Sequence, residues 1–402
     1  MKRRSKHVYF IAIILMVLGV LLQGLLLSGH IPFVRLSQFR AHSAPLPFQH
    51  YQTEVASRDQ NTTPVIRMRR PNFQTGIIFP QWGTNAYDST DKNWQVGLKD
   101  IQNQTSAQWI EIPINLYQSS VTSTQVTVSE ITPTPNAVAA GIRTAHSKYY
   151  HVFIVPLLSA GTDGTDANYN WSGAIHFSNT QQMQEWFDSY WQALQPYVVA
   201  AAQAGAEELA IGTELEKLQL APVTLWNQLI ERVHQIFPGK LTYDMNWSSL
   251  YLYLNPTNNS STLPSWMHNP SLYAVGVSVY IALAEKAKRL DPAKLPGLWH
   301  DKIGTLLDLL STQLTKQVLI SEIGYRDSAF ALYKPWVRDA NAQAEPADPE
   351  EQAAAYDAAL MNVVADPHIM GVYFWAWSVP LFEPNWKPAA KILYKWYTSS
   401  QA

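Results

Sequence analysis

The chain has 402 residues, 47% of them hydrophobic and 15% charged, with a formal net charge of -2. That length suits one large domain or two small ones around a sizeable core, and the charge balance holds neither the basic stripe of a nucleic-acid binder nor a disordered acidic tail. Cysteine is absent, which excludes disulfides, thiolate metal sites, a cysteine nucleophile and a lipidated N-terminal cysteine.

At the N-terminus, Lys2, Arg3, Arg4 and Lys6 precede a run from residue 8 to 27 that carries no charge. A run of that length spans a bilayer as a helix, and the basic flank stays in the cytoplasm and sends the rest outward. A cleaved signal peptide has a shorter core and a small-residue cleavage site. Here Ser28 and Gly29 are small but follow leucines, and the small pair Ala41 and Ala44 is distant. Residues 1–29 are therefore expected to be a signal anchor, with a cleaved signal peptide as the alternative. Either way the bulk of the chain is exported, anchored to the cell membrane and facing outward or else secreted. The bilayer is then a partner through residues 8–27. Residues 30–72 contain "SAPLPF", "NTTP" and "RMRRP" without periodicity, and read as a linker or stalk.

From residue 73 to 402 the rhythm changes. Short apolar runs fall at 76–80, 109–114, 152–158, 209–212, 241–245, 275–280, 318–320 and 371–374. Helix-like segments lie between most of them, as at 180–204, 222–237, 302–316 and 349–365, with a last one at 387–397. The stretch between Met245 and Leu272, rich in Asn, Ser and Pro, leaves little room for a helix. Strands alternating with helices predict a parallel sheet, and eight such units predict an α/β fold of the (β/α)8 TIM-barrel type. No glycine-rich phosphate loop follows any strand.

A TIM barrel carries its site at the C-terminal ends of its strands. Glu214 and Glu322 fall there, at the ends of the fourth and seventh strands. Strict alternation would place Ala210 and Gly212 inward with Glu214, with Leu209 and Ile211 toward the helices. By the same rule Val318 and Ile320 would face inward with Glu322. A lone glutamate at a strand end is more often structural than catalytic. Two of them, with aromatics at the other strand ends, reverse that. Paired carboxyls across a pocket suit glycoside hydrolysis, one protonated to donate to the leaving oxygen and one ionised to attack carbon or activate water. Their mutual repulsion separates their pKa values. Glu216 lies three residues after Thr213, the capping-box spacing, which would make it structural. A strand extended through 216 would instead put both glutamates on one face.

The other strand ends carry residues suited to sugars: Trp82 and Tyr87, Asn115 and Tyr117, Trp171, Asn246 and Trp247, Tyr280, and Trp375 and Trp377. Any one aromatic here is more often core than ligand contact, and the set carries the argument. Arg326, close after Glu322, either favours the ionised nucleophile or is a plain surface ion pair. The histidines show no HExxH spacing, the Asp163 loop lacks the glycine and closing glutamate of a calcium loop, and GxSxG is absent. No metal and no cofactor is expected.

The stretches "AIGTEL", "ISEIGYRD", "GVYFWAWS", "WSGAI" and "YDMNW", with the long run ending in "ELAIGTE", resemble glycoside hydrolase family 113. That family comprises retaining β-mannanase-type enzymes among the clan A barrels, and the resemblance spans about Thr75 to Tyr397. It implies Glu214 as acid/base, Glu322 as nucleophile, Tyr280 hydrogen-bonded to the nucleophile and Trp377 as the floor under the reacting sugar. The wider clan has Asn before its acid/base. Here Thr213 stands there, leaving Asn115 or Asn246 to hold the sugar 2-hydroxyl. The expected protein is a monomeric retaining hydrolase of β-1,4-glycans, most simply β-mannan, acting on an oligo- or polysaccharide without nucleic acid. Two other readings stand beside it: a hydrolase of another β-linked envelope polysaccharide, and a non-catalytic glycan-binding barrel.

Overall fold

The computed structural model describes residues 68–161, 171–254, 262–337 and 345–399. Residues 1–29, with the expected span 8–27, and most of the expected linker lie outside them. Among the described residues no helix is long and apolar enough to cross a membrane. The last residues assigned to the linker are docked rather than loose: the Arg69 N–H donates to the Ser399 carbonyl at 3.2 Å and the Arg70 N–H to Val364 at 2.9 Å.

Eight strands follow: β1 Gln74–Ile78, β2 Trp109–Gln118, β3 His151–Ala160, β4 Glu208–Thr213, β5 Lys240–Asn246, β6 Val275–Val279, β7 Val318–Ile323 and β8 Ile369–Phe374. Each pairs in parallel with the next, and β8 and β2 both pair with β1, so the sheet closes into a barrel. A two-residue antiparallel strand, Val126–Thr127, caps the end of β2. The helices are α1 Lys92–Thr105, α2 Pro135–His146, α3 Thr180–Ala204, α4 Val223–His234, α5 Trp247–Leu254, α6 Leu295–Trp299, α7 Thr305–Leu314, α8 Pro349–Val363 and α9 Pro388–Thr398. This is the (β/α)8 architecture expected from the alternation.

Local chemistry starts and stops these helices. The Asp91, Thr134 and Asn179 side chains accept the N–H groups of Trp94, Ala137 and Gln182 at the starts of α1, α2 and α3, which satisfies otherwise orphaned donors. Pro135 opens α2 at a position where no N–H is needed. Two segments depart from the sequence reading. The stretch after Met245 does hold a helix, α5, because Leu250, Tyr253 and Leu254 form a buried stripe. The expected helix at 302–316 is instead α6 and α7 joined through a π-helical turn, His300–Gly304.

The core has two layers. Ile110, Ile112, Ile154, Leu209, Ile211, Val318 and Ile320 pack toward the helices. Ile78, Phe153, Val155, Ala210, Leu319 and Tyr373 fill the barrel. Strict alternation fails in both strands of interest. Between β4 and β5, Ala210 pairs with Thr242 and Thr213 with Asp244. Between β6 and β7, Gly276 pairs with Leu319 and Ser278 with Glu322. In each case β4 or β7 carries one residue more than its partner, a bulge that resets which way the following side chain points. Val318 and Ile320 therefore face the helices, not the barrel, although Glu322 turns toward the cleft. Gly212 also faces outward: a Cβ there would meet Leu215, Tyr243 and Tyr190.

Candidate active site

Glu214 follows β4 with a φ of 54°, a left-handed conformation uncommon for a residue with a side chain. Its N–H donates to the Asp244 carbonyl at 2.7 Å. Its carboxyl is held at both oxygens, by Asn246 Nδ2 at 2.8 Å and by Trp171 Nε1 at 2.9 Å. These donors fix where the carboxyl points.

Glu322 lies near the end of β7, and its Oε1 accepts a hydrogen bond from the Tyr280 hydroxyl. Asn246, Ser278 and Glu322 share one row across β5, β6 and β7 by strand register. The Asn246 contact joins Glu214 to that row. The bulged strands thus present both glutamates at the C-terminal mouth of the barrel.

Glu216 is not part of a capping box. It begins a 3-10 turn, Lys217–Leu220, and its carboxyl accepts from the hydroxyls of Ser248 and Ser249, the latter at 3.4 Å. The Thr213 hydroxyl is buried with no hydrogen-bond partner among the described residues. Glu216 ties the loop after β4 to α5, a structural role reached through partners the sequence reading did not name.

The remaining expected residues divide. Trp82 is 43% exposed at the rim. Asn115 is buried, its side-chain oxygen accepting from Ser159 Oγ at 2.9 Å. Tyr87 is core, its hydroxyl meeting the Gln81 N–H and the Pro113 carbonyl. Trp247 opens α5 and stacks on Trp336, ring centroids 5.3 Å apart. Trp336 was not singled out from the sequence, because it sits in the loop after β7, far from any strand end. Trp377 is 3% exposed and belongs to the main buried cluster, and its main-chain N–H donates to the Ile78 carbonyl at 2.9 Å. Trp375 keeps the inward parity of Tyr373 and shares the barrel-mouth cluster with Tyr280.

Arg326 is not a surface ion pair. It is 1% exposed. Its guanidinium donates to the carbonyls of Lys334 at 2.7 Å and Val337 at 2.8 Å and to Glu345 at 2.9 Å. Those two carbonyls bracket Trp336, so Arg326 staples the loop that carries it.

Three more acids lie inside the barrel, Glu111, Glu208 and Asp244, each at most 2% exposed. Burial pushes Glu111 well above the usual carboxylate range, helped by the charges of Asp244 and Glu322. Burial raises Asp244 likewise, with Glu208 and Glu322 adding to it and hydroxyls of Ser321 and Thr242 opposing. Burial lifts Glu208 to about 7 against a hydrogen bond from Gln74 and the charge of Lys240. Among the described residues, the acidic and imidazole groups close enough to share a metal ion are Asp308, Asp366 and His368. Asp366 and His368 precede β8, at the opposite end of the barrel from the two glutamates.

With this geometry in view, the sequence matches Glycoside Hydrolase Family 113 over residues 80–398. The chain belongs to that family. It is a glycosidase. A family 113 β-1,4-mannanase shares 18% identity over 81% of this chain and 99% of its own, with a TM-score of 0.65. The family 113 β-mannanase of Alicyclobacillus acidocaldarius gives 17% over 81% and 97%, with a TM-score of 0.66. A family 5 mannosidase of Rhizomucor miehei gives 11% over 82% and 94%, with a TM-score of 0.52. At these identities the likeness to solved structures concerns the fold. No curated protein sequence matches the chain.

Proposed function

We propose that this family 113 glycosidase hydrolyses β-1,4-linked mannan-type polysaccharide with retention of anomeric configuration. Glu322 attacks the anomeric carbon while Glu214 protonates the leaving oxygen, giving a glycosyl-enzyme. Glu214 then takes a proton from water, which releases the sugar. Asn246 is the side chain that meets the sugar 2-hydroxyl, since it already bridges Glu214 and the row ending in Glu322. Trp375 lies under the reacting sugar, and Trp82, Trp171, Trp247 and Trp336 offer flat faces along the cleft. The observation that carries the reading is the pair of glutamates on bulged strand ends, one held by Asn246 and Trp171 and the other by Tyr280. Family 113 membership and the mannanases among its structural relatives support the substrate class.

The test is release of reducing ends from mannan, glucomannan, xylan and chitin-type polymers. Turnover of mannans supports the proposal. Turnover confined to another polymer moves the substrate to a different β-glycan, and binding without turnover of any of them makes the protein a glycan-binding barrel. We further propose that residues 8–27 anchor the enzyme with its barrel outside the cytoplasm. Protease access to the barrel in intact cells, with the full-length chain in the membrane fraction, is the expected result.

A further inference from the structure

Asp244 lies between the two halves of the site and has no role in the mechanism above. Its main-chain carbonyl accepts the Glu214 N–H at 2.7 Å. Its side chain goes the other way around the barrel. Asp244 pairs in register with Gly276 on β6. A Cβ on Gly276 would stand 2.0 Å from Asp244 Oδ1 and 2.7 Å from Ser321 Oγ. The carboxyl therefore lies across the space that glycine leaves open, packed beside the Ser321 side chain of β7, whose hydroxyl has no hydrogen-bond partner among the described residues. Ser321 sits inside the β7 bulge, between Leu319 and Glu322.

We propose that Asp244 is a positioning residue: its buried carboxyl, laid across Gly276 against Ser321, holds the β7 bulge that turns Glu322 toward the cleft. The inference rests on the reading of Glu322 as nucleophile. Its physical logic is that a bulge breaks ladder hydrogen bonds and leaves the strand locally under-determined. A strand slipped by one residue would send its side chains to the other face. A carboxyl packed into that space from two strands away favours one register. Thr242 Oγ1 donates to the same carboxyl oxygen at 3.5 Å, which orients it from below. Burial favours the neutral acid, so the contact adds no fixed charge beneath the nucleophile. Among the described residues the buried basic side chain, Arg326, is committed to its loop.

Four variants of the full-length protein test this: Asp244→Ala, Asp244→Asn, Gly276→Ala and the double Asp244→Ala/Gly276→Ala. Asp244→Ala should lower kcat about 10²-fold, the cost of misplacing a reacting group by an ångström, with KM little changed. Labelling of Glu322 by an activated 2-fluoro glycoside should slow by the same factor, because attack itself is impaired. Asp244→Asn keeps the shape without needing a charge and should retain most of kcat. Gly276→Ala displaces the carboxyl and should resemble Asp244→Ala. The double variant should be no worse than the weaker single, since both remove one contact. Melting temperatures measured alongside separate loss of fold from loss of rate, and Asp244→Asn against Gly276→Ala decides the matter if Asp244→Ala does not fold.

Glu322→Ala runs as the control. If it is inactive while Asp244→Ala turns over and labels like the wild type, the positioning role is wrong and the nucleophile stands. An Asp244→Asn loss as deep as that of Asp244→Ala also overturns the inference, since shape would then not suffice. If Glu322→Ala itself stays active, the reading of the reaction fails instead.

Discussion

Asn246 Nδ2 donates to Glu214 Oε1 at 2.8 Å, bringing the end of β5 onto the carboxylate that follows β4. The clan's asparagine precedes the acid/base in sequence. In this chain the amide arrives from the neighbouring strand, while Thr213 turns its hydroxyl into a buried site. Asn246→Ala should therefore lower kcat on mannan about 10²-fold. It should act mainly on kcat, because the contact orients Glu214 and, in the proposed mechanism, the amide meets the sugar where charge develops. Steady-state kinetics on mannan check this, and an effect on KM alone would assign Asn246 to ground-state binding.

Glu214→Gln and Glu216→Gln should separate cleanly. The first removes the acid, so its loss should grow as the leaving group worsens, from an activated aryl glycoside to polysaccharide. The second keeps an acceptor for Ser248 and Ser249 and should cost about 1 kcal/mol of stability at most, with turnover near wild type. Rates of both variants on both substrates, with melting temperatures, decide it. A leaving-group-dependent loss in Glu216→Gln alone would exchange the two roles.

Arg326→Ala should cost about 1–3 kcal/mol, the usual penalty of leaving buried acceptors without a donor. The carbonyls of Lys334 and Val337 lose the guanidinium, while Glu345 keeps Ser328 Oγ at 2.8 Å. Arg326→Lys should not rescue it, because an ammonium cannot fork to three acceptors. The melting temperature reports the stability. The stapled loop carries Trp336, so limited proteolysis should cut first after β7, and kcat/KM on long mannans should fall further than on short ones.

Glu208 predicts a pH dependence of stability. Its carboxyl is raised from 4.5 to about 7 in the folded chain. A raised acid binds its proton more tightly when folded, so its contribution is complete below about 4.5 and is lost as pH rises to about 7. The loss amounts to about 3 kcal/mol across that window. Glu208→Gln keeps an acceptor for Gln74 Nε2, which now donates at 2.8 Å, and removes the titration. Denaturant melts at pH 4.5, 6 and 8 should show wild-type stability declining and the variant holding flatter.

The strands, their order and the two strand-end glutamates were legible because each apolar run is short, bounded and repeated. What was not legible came from contacts distant in sequence. A bulge leaves no compositional mark, so Val318, Ile320 and Gly212 were assigned to the wrong face. Trp377 as the floor is what the family resemblance implies, and alternation does not separate it from Trp375, since the two share one parity and both lie beyond the strand's end at Phe374. Glu216 has a capping spacing with Thr213, yet its partners are serines on α5. Arg326 looked like a neighbour of Glu322 by sequence distance, but its guanidinium folds into its own loop. Asp244 carried no motif, and its place beside Ser321 depends on a glycine on the strand between them.

The central claim is that Glu322 is the nucleophile of a retaining mannan hydrolase. The measurement that tests it most directly is the product formed by Glu322→Ala from an activated aryl β-mannoside in the presence of azide. Azide can enter the space left by the carboxylate and attack from the nucleophile's side. The account predicts that hydrolysis is nearly abolished without azide and that α-mannosyl azide accumulates with it, identified by NMR. Hydrolysis at the wild-type rate, or a β-configured azide product, would contradict it.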